Sequence, residues 1–205
     1  MRRFPFVAAL AVLTASPAMA QPTGARTFTE GVQRQFQQVQ ALVMKTAEKV
    51  GEDLYSFKPM PEVRSLGGVL GHVADGNRLL CRVASGENVD FEKIMKDPSS
   101  LQVNEKKTSK AELIAALNES KAFCESVFAK LTDATGQETV AWFGGQTTPK
   151  LMALTMNNSH AWEHYGNLVT YMRLKGIVPP SSERAPSTGP DAALYFQSAE
   201  GKSYN

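Results

Sequence analysis

The stretch Asn157–Gly176, NNSHAWEHYGNLVTYMRLKG, places two histidines, His160 and His164, one helical turn apart. Its apolar residues recur at spacings of three and four, which is typical of an amphipathic helix. At about 100° per residue, both histidines share a face with a set of largely apolar side chains, namely Ala153, Met156, Leu168, Tyr171 and Leu174. A buried imidazole without a partner loses its hydration and gains little, so the pattern predicts a partner for both rings.

The chain has one other histidine, His72, within the stretch Ser65–Leu80, SLGGVLGHVADGNRLL. The same count places it on a face with Val69, Gly76, Leu79, Leu80 and Val83. This predicted helix contains four glycines, each costing roughly 1 kcal/mol relative to alanine; they are Gly67, Gly68, Gly71 and Gly76. We expect them to mark a tight helix crossing or space for a neighbouring group.

Three inward-facing imidazoles favour a metal site. Neutral imidazole is a common ligand of divalent ions, and an i, i+4 pair can bind one ion together with a third imidazole from a facing helix. We therefore predict that His72, His160 and His164 bind a divalent cation, zinc or nickel first, with iron or manganese as alternatives. Three protein ligands leave a coordination position open, as in catalytic sites. The alternative is that each histidine is a hydrogen-bonded core residue.

Helical periodicity predicts an all-α four-helix bundle over residues 21–182, and no strand is indicated. The predicted helices are 27–50, 65–84, 108–131 and 148–176. Several end signals support these bounds: Ser65 as an N-cap, the capping box Ser109-x-x-Glu112, Thr148 as a cap before Pro149, and Gly176 as a terminator. The connection 85–107 is the longest, and residues 183–205 are predicted to form an irregular tail.

The first twenty residues, MRRFPFVAALAVLTASPAMA, have the anatomy of a cleaved secretory signal. Arg2 and Arg3 precede a short apolar run that ends in Ala18-Met19-Ala20. No later segment is long and apolar enough to anchor the chain, so we expect an exported protein without stable membrane insertion. In a Gram-negative source it would be periplasmic.

The charge balance argues against nucleic-acid binding. The chain has 22 basic and 20 acidic residues, and Arg2 and Arg3 of the predicted signal account for the surplus. A neutral mature chain without a basic block lacks the electrostatic footprint that DNA or RNA requires. We expect a small molecule as its partner.

Two segments resemble the motifs of the DinB/YfiT-like superfamily. Ser65–Leu80 is similar to its second-helix motif, and Asn157–Ser181, NNSHAWEHYGNLVTYMRLKGIVPPS, to its fourth-helix motif. The resemblance implies a four-helix bundle of up-down-down-up order. It also implies a divalent metal held by one histidine of helix two and two of helix four, which here are His72, His160 and His164. Asn167 stands where glutamine is frequent in that family, which is a departure from its pattern.

The implied topology also bears on the two cysteines. If helices two and three run parallel, Cys81 and Cys124 lie at about the same height, since each is about fifteen residues into its helix. An exported protein experiences an oxidising environment, so we predict a disulfide between them. The alternative is two buried free thiols.

The resemblance implies a metal-dependent transferase that uses a thiol, or a hydrolase acting on a small molecule; the alternative is a non-catalytic module that binds a metal or small ligand. Glu163 and Tyr171 are candidate catalytic residues. His160-Ala-Trp-Glu163-His164 also fits the HxxEH pattern of inverted zincin peptidases. Those enzymes need a distant downstream glutamate, and only 41 residues follow His164. We instead expect Glu163 and Asp75 either to orient imidazoles or to lie at a solvated rim.

A second apolar face is predicted on the fourth helix, opposite its histidines, and comprises Leu151, Trp162 and Val169. An apolar face on an outer helix needs cover. The tail around Leu194–Phe196 would supply it, or a second subunit in a homodimer.

Overall fold

The computed structural model describes residues 27–183, and the predicted signal peptide and most of the predicted tail lie outside this range. Its helices are α1 (Phe28–Lys49), α2 (Leu66–Ser85), α3 (Phe91–Lys96), α4 (Lys110–Phe128), α5 (Asp133–Gly136) and α6 (Lys150–Leu174). A two-stranded hairpin consists of β1 (Thr139–Ala141) and β2 (Thr147–Pro149). Within residues 27–183, none of the helices combines the length and apolar character that a bilayer crossing needs.

The four long helices α1, α2, α4 and α6 form a bundle that runs up, down, down and up. Contacts between the helices fix these directions. Helices α2 and α4 meet at Asn77–Ser120 and at Cys81–Cys124. Helices α2 and α6 meet at Asn77–Asn157 and His72–His160, and α1 meets α4 at Phe36–Phe128 and at Val50–Lys110. Helices α2 and α4 are therefore parallel, and each is antiparallel to its other neighbour in these pairs. The predicted bundle is confirmed.

Because α2 and α4 are parallel, the chain between them must return along the bundle. This crossover, residues 86–109, contains α3 and a 3₁₀ turn at Pro98–Leu101, and then packs against α2. A Cβ atom at Gly71 would lie 2.3 Å from the carbonyl oxygen of Asn104. Gly71 thus allows the crossover backbone to approach α2 closely, one of the two roles that the sequence suggests for these glycines.

The buried faces of the four helices form an apolar core at both ends of the bundle. One half contains Val39, Val43, Leu70, Leu117, Leu168 and Met172, and the other contains Phe36, Val83, Phe128, Leu151 and Leu154. Each fully buried side chain of this kind contributes roughly 1.5–3 kcal/mol through removal from water. The core therefore fixes the positions of α2 and α6, which carry the histidines.

A polar layer crosses the bundle interior, with one side chain from each long helix: Gln40, Asn77, Ser120 and Asn157, hereafter the amide layer. Asn77 and Gln40 exchange two amide hydrogen bonds of 3.0 and 3.1 Å. Asn77 also donates to Ser120 Oγ at 3.3 Å and accepts from Asn157 Nδ2 at 3.1 Å. All four residues are at most 3% exposed, so this network fixes the relative register of the helices.

Cys81 and Cys124 form a disulfide one helical turn from the amide layer, with their Cα atoms 5.3 Å apart. The predicted pairing is confirmed. The bond joins α2 to α4 across a sequence separation of 43 residues. A crosslink of this span typically stabilises a fold by about 2–4 kcal/mol, chiefly by restricting the unfolded chain.

The hairpin before α6 is a difference from the sequence prediction, which indicated no strand. Each strand has three residues, with Val140 opposite Thr148, and this is too short to show an alternating pattern. Thr148 was predicted to cap α6, but it pairs within the hairpin, and Pro149 occupies the cap position before Lys150. Gly176 follows α6 with φ at 70°, as expected for a glycine that ends a helix.

The second apolar face of α6 is partly covered by the chain itself. Leu151 is buried against the short helix α5. A Cβ atom added at Gly136 of α5 would lie 3.2 Å from the Cβ atom of Leu151. Trp162 and Val169 are half-buried against the core. The predicted cover by Leu194–Phe196 lies outside the described residues, and the homodimer stays a prediction.

Candidate metal centre

The three histidines meet between α2 and α6. The Nε2 atom of His160 lies 3.1 Å from Nε2 of His72 and 3.2 Å from Nε2 of His164. One ring nitrogen from each residue lies within 4.8 Å of the other two. We call this group the histidine cluster. The structure thus brings together all three residues that the sequence selects, from helices separated by more than 60 residues of chain.

Gly76 makes this convergence sterically possible. A Cβ atom at Gly76 would lie 2.4 Å from Cε1 and 2.7 Å from Nδ1 of His160, far inside van der Waals contact. The missing side chain therefore leaves the space in which the His160 ring lies. His164 then follows one turn later on α6, and its ring packs edge-on against His160 with centroids 4.5 Å apart.

The outer nitrogens of two rings have polar neighbours. His72 Nδ1 lies 3.2 Å from Glu105 Oε2, and His164 Nδ1 lies 3.3 Å from Asn167 Nδ2. A carboxylate beside Nδ1 places the ring proton there, so the lone pair of His72 Nε2 points into the cluster. Asn167, the departure from the family motif, thus contacts a histidine of the cluster directly.

Asp75 does not orient an imidazole directly, as the sequence suggests, but binds the crossover segment that carries Glu105. Its carboxylate accepts hydrogen bonds from the backbone N–H groups of Asn104 and Glu105 and from the Asn104 side chain, at 2.8–3.0 Å. Within residues 27–183 it makes no hydrogen bond to an imidazole, and it is only 7% exposed, so the solvated-rim alternative is wrong for this residue. Burial raises the pKa of Asp75, although these hydrogen bonds oppose that shift. Asp75 holds the crossover in place so that Glu105 reaches His72.

Glu105 is the residue in contact with the histidine cluster that sequence reasoning missed. It lies in the crossover, where no helical periodicity marks which side chains face α2. A carboxylate within a long connection gives no signal that distinguishes it from a solvated surface residue. Only the return of the chain along α2 places it beside His72.

Burial controls the protonation of the cluster. It lowers the pKa of His160 and of His164 to about 4, with a further contribution from a neighbouring imidazole in each case. Burial also lowers the pKa of His72, and the Arg64 guanidinium adds to this effect. The three rings are therefore neutral near pH 7 and hold lone pairs that can bind a cation.

The protein does not satisfy the cluster internally. A neutral imidazole carries one N–H group, so His160 Nε2 can donate to only one of the two Nε2 atoms beside it. His160 Nδ1 is buried and has no hydrogen-bond partner within residues 27–183. Nitrogen ligands at about 2.0–2.1 Å from a tetrahedral zinc ion lie about 3.3 Å from one another, close to the separations of 3.1 and 3.2 Å seen here. The donor set therefore fits a divalent metal.

A cleft of about 610 Å³ adjoins the cluster, and His72 and His160 form part of its wall. Most of its lining is apolar, with side chains from α2, α6, the crossover and the hairpin loop: Leu79, Pro98, Leu101, Trp142, Phe143 and Met156. Arg64 and Glu163 are charged residues of the same wall. The crossover and the hairpin loop, whose sequences show no helical periodicity, thus form much of the cleft wall beside the histidines.

The two candidate catalytic residues occupy different surroundings. Glu163 is exposed and lines the cleft. The Tyr171 hydroxyl donates to the carbonyl oxygen of Arg64 at 3.0 Å, which ties α6 to the chain before α2. Burial raises the pKa of Tyr171. A catalytic role stays a prediction for both residues, and the geometry favours Glu163.

Comparison with known proteins identifies relatives of the fold. A DinB-like protein from Bacillus cereus superposes with a TM-score of 0.59 at 18% identity, covering 74% of this chain and 95% of that chain. YfiT from Bacillus subtilis, described as "a probable metal-dependent hydrolase with an unusual four-helix bundle topology", gives 0.57 at 14% identity, covering 77% and 94%.

A third structure is a mycothiol-dependent maleylpyruvate isomerase, with a TM-score of 0.59 at 15% identity. The likeness covers 70% of this chain but only 63% of the isomerase. A comparison with curated proteins finds no match in sequence. At these identities the structural likeness shows a shared fold. The model of the DinB superfamily matches residues 35–168, well over half of the sequence, and the chain therefore belongs to the DinB superfamily.

Proposed function

We propose that this protein binds one divalent cation through His72, His160 and His164 and uses it to transform a small molecule. The observation that carries the proposal is the convergence of three neutral imidazole nitrogens with no internal arrangement that satisfies them. Zinc or nickel suits three nitrogen ligands best, with iron or manganese as alternatives. The description of YfiT as metal-dependent supports the same assignment.

Hydrolysis is the reaction that we favour. When bound, the cation supplies Lewis-acid activation at the histidine cluster. Glu163 makes no hydrogen bond or ion pair within residues 27–183 and lines the cleft, so it is available to accept a proton. The apolar walls exclude water from the body of the substrate, while Glu105 holds the His72 ring in place.

A thiol-dependent transferase or isomerase is the second candidate. The likeness in fold to a mycothiol-dependent isomerase supports it. The expected export of this chain argues against it, because low-molecular-weight thiols of that kind belong to the cytosol. A metal-dependent hydrolase needs only water as its second reactant.

We also propose that the protein is exported and resides in the periplasm of a Gram-negative source. The signal-like residues 1–20 carry this proposal, and the Cys81–Cys124 disulfide supports it, because such bonds persist in oxidising compartments. N-terminal sequencing of the exported protein should begin near Gln21. An exported chain that retains Met1 would contradict cleavage.

Elemental analysis tests the metal. We expect the wild-type protein, purified without chelators, to contain about one equivalent of zinc or nickel per chain. His72→Ala, His160→Ala and His164→Ala should each lose most of that metal. Ser159→Ala, an exposed neighbour of His160 that also lines the cleft, serves as the matched control and should keep it. A full metal complement in any histidine variant would contradict the proposal.

Turnover tests the reaction. The metal-loaded protein should hydrolyse members of an ester, amide or phosphoester panel, and His160→Ala should abolish this activity. Glu163→Gln should lower kcat by roughly 10²-fold or more if Glu163 accepts a proton. Thiol-dependent turnover alone would favour the second candidate. Metal binding without turnover on either panel would identify a non-catalytic metal-binding module.

A further inference from the structure

The cleft beside the histidine cluster has the size and wall of a small-molecule site. Its volume of about 610 Å³ lies within the range of about 300–1,000 Å³ that is usual for ligand pockets. Trp142 and Phe143 pack edge to face with centroids 5.2 Å apart on one side. Met156 contributes to the lining although it is 51% exposed. An apolar body placed here would gain by covering these side chains.

Arg64 provides a fixed positive charge at the same cleft. Its Nε donates to Glu105 Oε1 at 2.9 Å, while Glu105 Oε2 contacts His72 Nδ1 at 3.2 Å. One carboxylate thus links the guanidinium to the histidine cluster. Within residues 27–183, the side chain of Arg64 makes no other hydrogen bond, so its terminal nitrogens are available for a ligand. A guanidinium presents parallel donors that match a carboxylate.

The charges around the cleft favour an anion. Glu105 is paired with Arg64, and Asp75 is occupied by its hydrogen bonds to the crossover. Glu163 is exposed, so solvent screens its charge. A divalent cation held by three neutral imidazoles would add two positive charges. Together with Arg64, this gives three positive charges at the cleft, facing the carboxyl groups of Glu105, Asp75 and Glu163, of which the first two already have partners within the chain.

We propose that this cleft binds an organic anion with an apolar body, with the anionic group paired to Arg64 and the apolar part against Trp142 and Phe143. The proposal rests on the function proposed above and adds a substrate class to the same site. A ligand of this class places its charged end beside the histidine cluster and its apolar part under the crossover and hairpin.

Three probes of one shape test the charge preference. Binding of 4-phenylbutyrate, its neutral amide 4-phenylbutyramide and the amine 4-phenylbutylamine would be followed by calorimetry and tryptophan fluorescence with zinc-loaded protein. We expect the acid to bind at least tenfold more tightly than the amide, and the amine to bind most weakly. Equal binding of all three, or tighter binding of the amine, would overturn the proposal.

Variants test the residues. Arg64→Gln should remove most of the preference for the acid over the amide, and Arg64→Lys should keep part of it. The control Arg34→Gln removes a charge from an exposed position of α1 and should leave the preference unchanged. Trp142→Ala should weaken binding of acid and amide by a similar factor. An unchanged preference in Arg64→Gln would overturn the assignment of Arg64.

Metal-free protein separates this inference from the metal proposal. Chelation removes the two charges of the cation but not Arg64, so we expect the preference for the acid to become smaller and what remains of it to depend on Arg64. Zinc content and thermal unfolding would be measured for every variant. Normal zinc binding without a preference for the acid would overturn the substrate class alone. A preference for the acid in a protein that binds no zinc or nickel would overturn the metal function alone.

Discussion

The amide layer and the histidine cluster are two polar groups inside one bundle, little more than a helical turn apart on α2. In the amide layer, Asn77 donates two hydrogen bonds and accepts two, and its partners come from the three other long helices. In the histidine cluster, three Nε2 atoms face one another, and a buried Nδ1 has no partner within the described residues. Within residues 27–183 each group keeps one buried atom without a partner, Asn157 Oδ1 in the first and His160 Nδ1 in the second, but only the second brings three ring nitrogens together where they could share a cation.

The two groups also differ in their access to solvent. The amide layer is sealed, with no member more than 3% exposed, whereas His72 and His160 are half-buried and border the cleft. A sealed network of this kind, in which Asn157 Oδ1 is the one side-chain atom without a partner within residues 27–183, contributes to stability and register. An open group of imidazoles that cannot satisfy one another costs stability, and binding a ligand would offset that cost. The difference separates a structural polar cluster from a functional one.

The largest expected effect is the loss of stability when a residue of the amide layer is replaced. Asn77→Ala leaves groups of Gln40, Ser120 and Asn157 without a partner in a dry interior, which should cost about 3 kcal/mol or more. For a chain of this size this lowers Tm by about 6–12 °C. His160→Ala in chelator-treated protein should change the free energy of unfolding by about 1 kcal/mol or less, because it also removes an unpartnered nitrogen.

Thermal and urea unfolding, followed by circular dichroism, would measure both variants against the exposed control Arg78→Ala. If His160→Ala destabilises the metal-free protein as much as Asn77→Ala does, the contrast between the two groups is wrong.

The second effect is a loss of zinc affinity when the carboxylate of Glu105 is removed. Glu105→Gln removes the negative charge beside His72 Nδ1 and thereby lowers the basicity of Nε2, so zinc affinity should fall by about 10–100-fold. Glu119→Gln, which removes a carboxylate paired with Arg78 on the exposed surface, should leave it unchanged. Competition with a chromophoric chelator would measure both constants. Equal zinc affinity in the two variants would show that Glu105 does not position the ring.

The third effect concerns the space left by Gly76. Alanine normally favours a helix over glycine by about 1 kcal/mol, but a Cβ atom here would displace the His160 ring. We expect Gly76→Ala to weaken zinc binding by about tenfold or more, the order of effect of disturbing a ligand's support. Gly31→Ala on α1, where nothing lies within 4 Å of the added atom, is the control and should not weaken zinc binding. The same chelator competition would detect the difference.

The smallest effect is a pH dependence that the histidine cluster can show and the amide layer cannot. The pKa of His160 and of His164 in the folded protein is about 4, below the usual 6.5, so protons bind the unfolded chain more readily. Their contribution to metal-free stability is therefore constant above about pH 6.5 and falls as the pH drops toward 4. The loss should be about 1 kcal/mol, since the cleft is partly solvated.

Melting curves of the chelator-treated wild type and of the double variant His160→Asn, His164→Asn would measure this difference between pH 7 and pH 4.5. The amide layer contains no titratable group, so it cannot contribute. Parallel pH profiles for the two proteins would contradict the shifted pKa values.

Much of the candidate site was accessible from the sequence because helices are periodic. His160 and His164 at i and i+4 must share a face, and His72 lies at a core position of its own helix. Gly76, expensive in a helix and on the same face as His72, indicated space for a neighbour, and the His160 ring occupies it. The pairing of Cys81 with Cys124 followed once the parallel order of the helices was inferred from family resemblance.

The remaining parts of the site come from segments without a period. Glu105, Leu101, Trp142 and Phe143 lie in the crossover and the hairpin loop, where spacing does not predict which side chains face the site. Asp75 was singled out by its distance from His72 along α2, but its hydrogen bonds go to the crossover. Its role depends on a contact between residues about thirty positions apart.

The sequence by itself determined the four helices, their buried faces and the three histidines, because local periodicity follows from the geometry of a helix. Only the tertiary structure decided that the three Nε2 atoms meet, that Glu105 supports one of them, and that Arg64 lies beside an apolar cleft. The meeting of the Nε2 atoms depends on the antiparallel packing of α6 against α2. The position of Glu105 depends on the direction of α4, since its parallel arrangement with α2 forces the chain to return past the histidines.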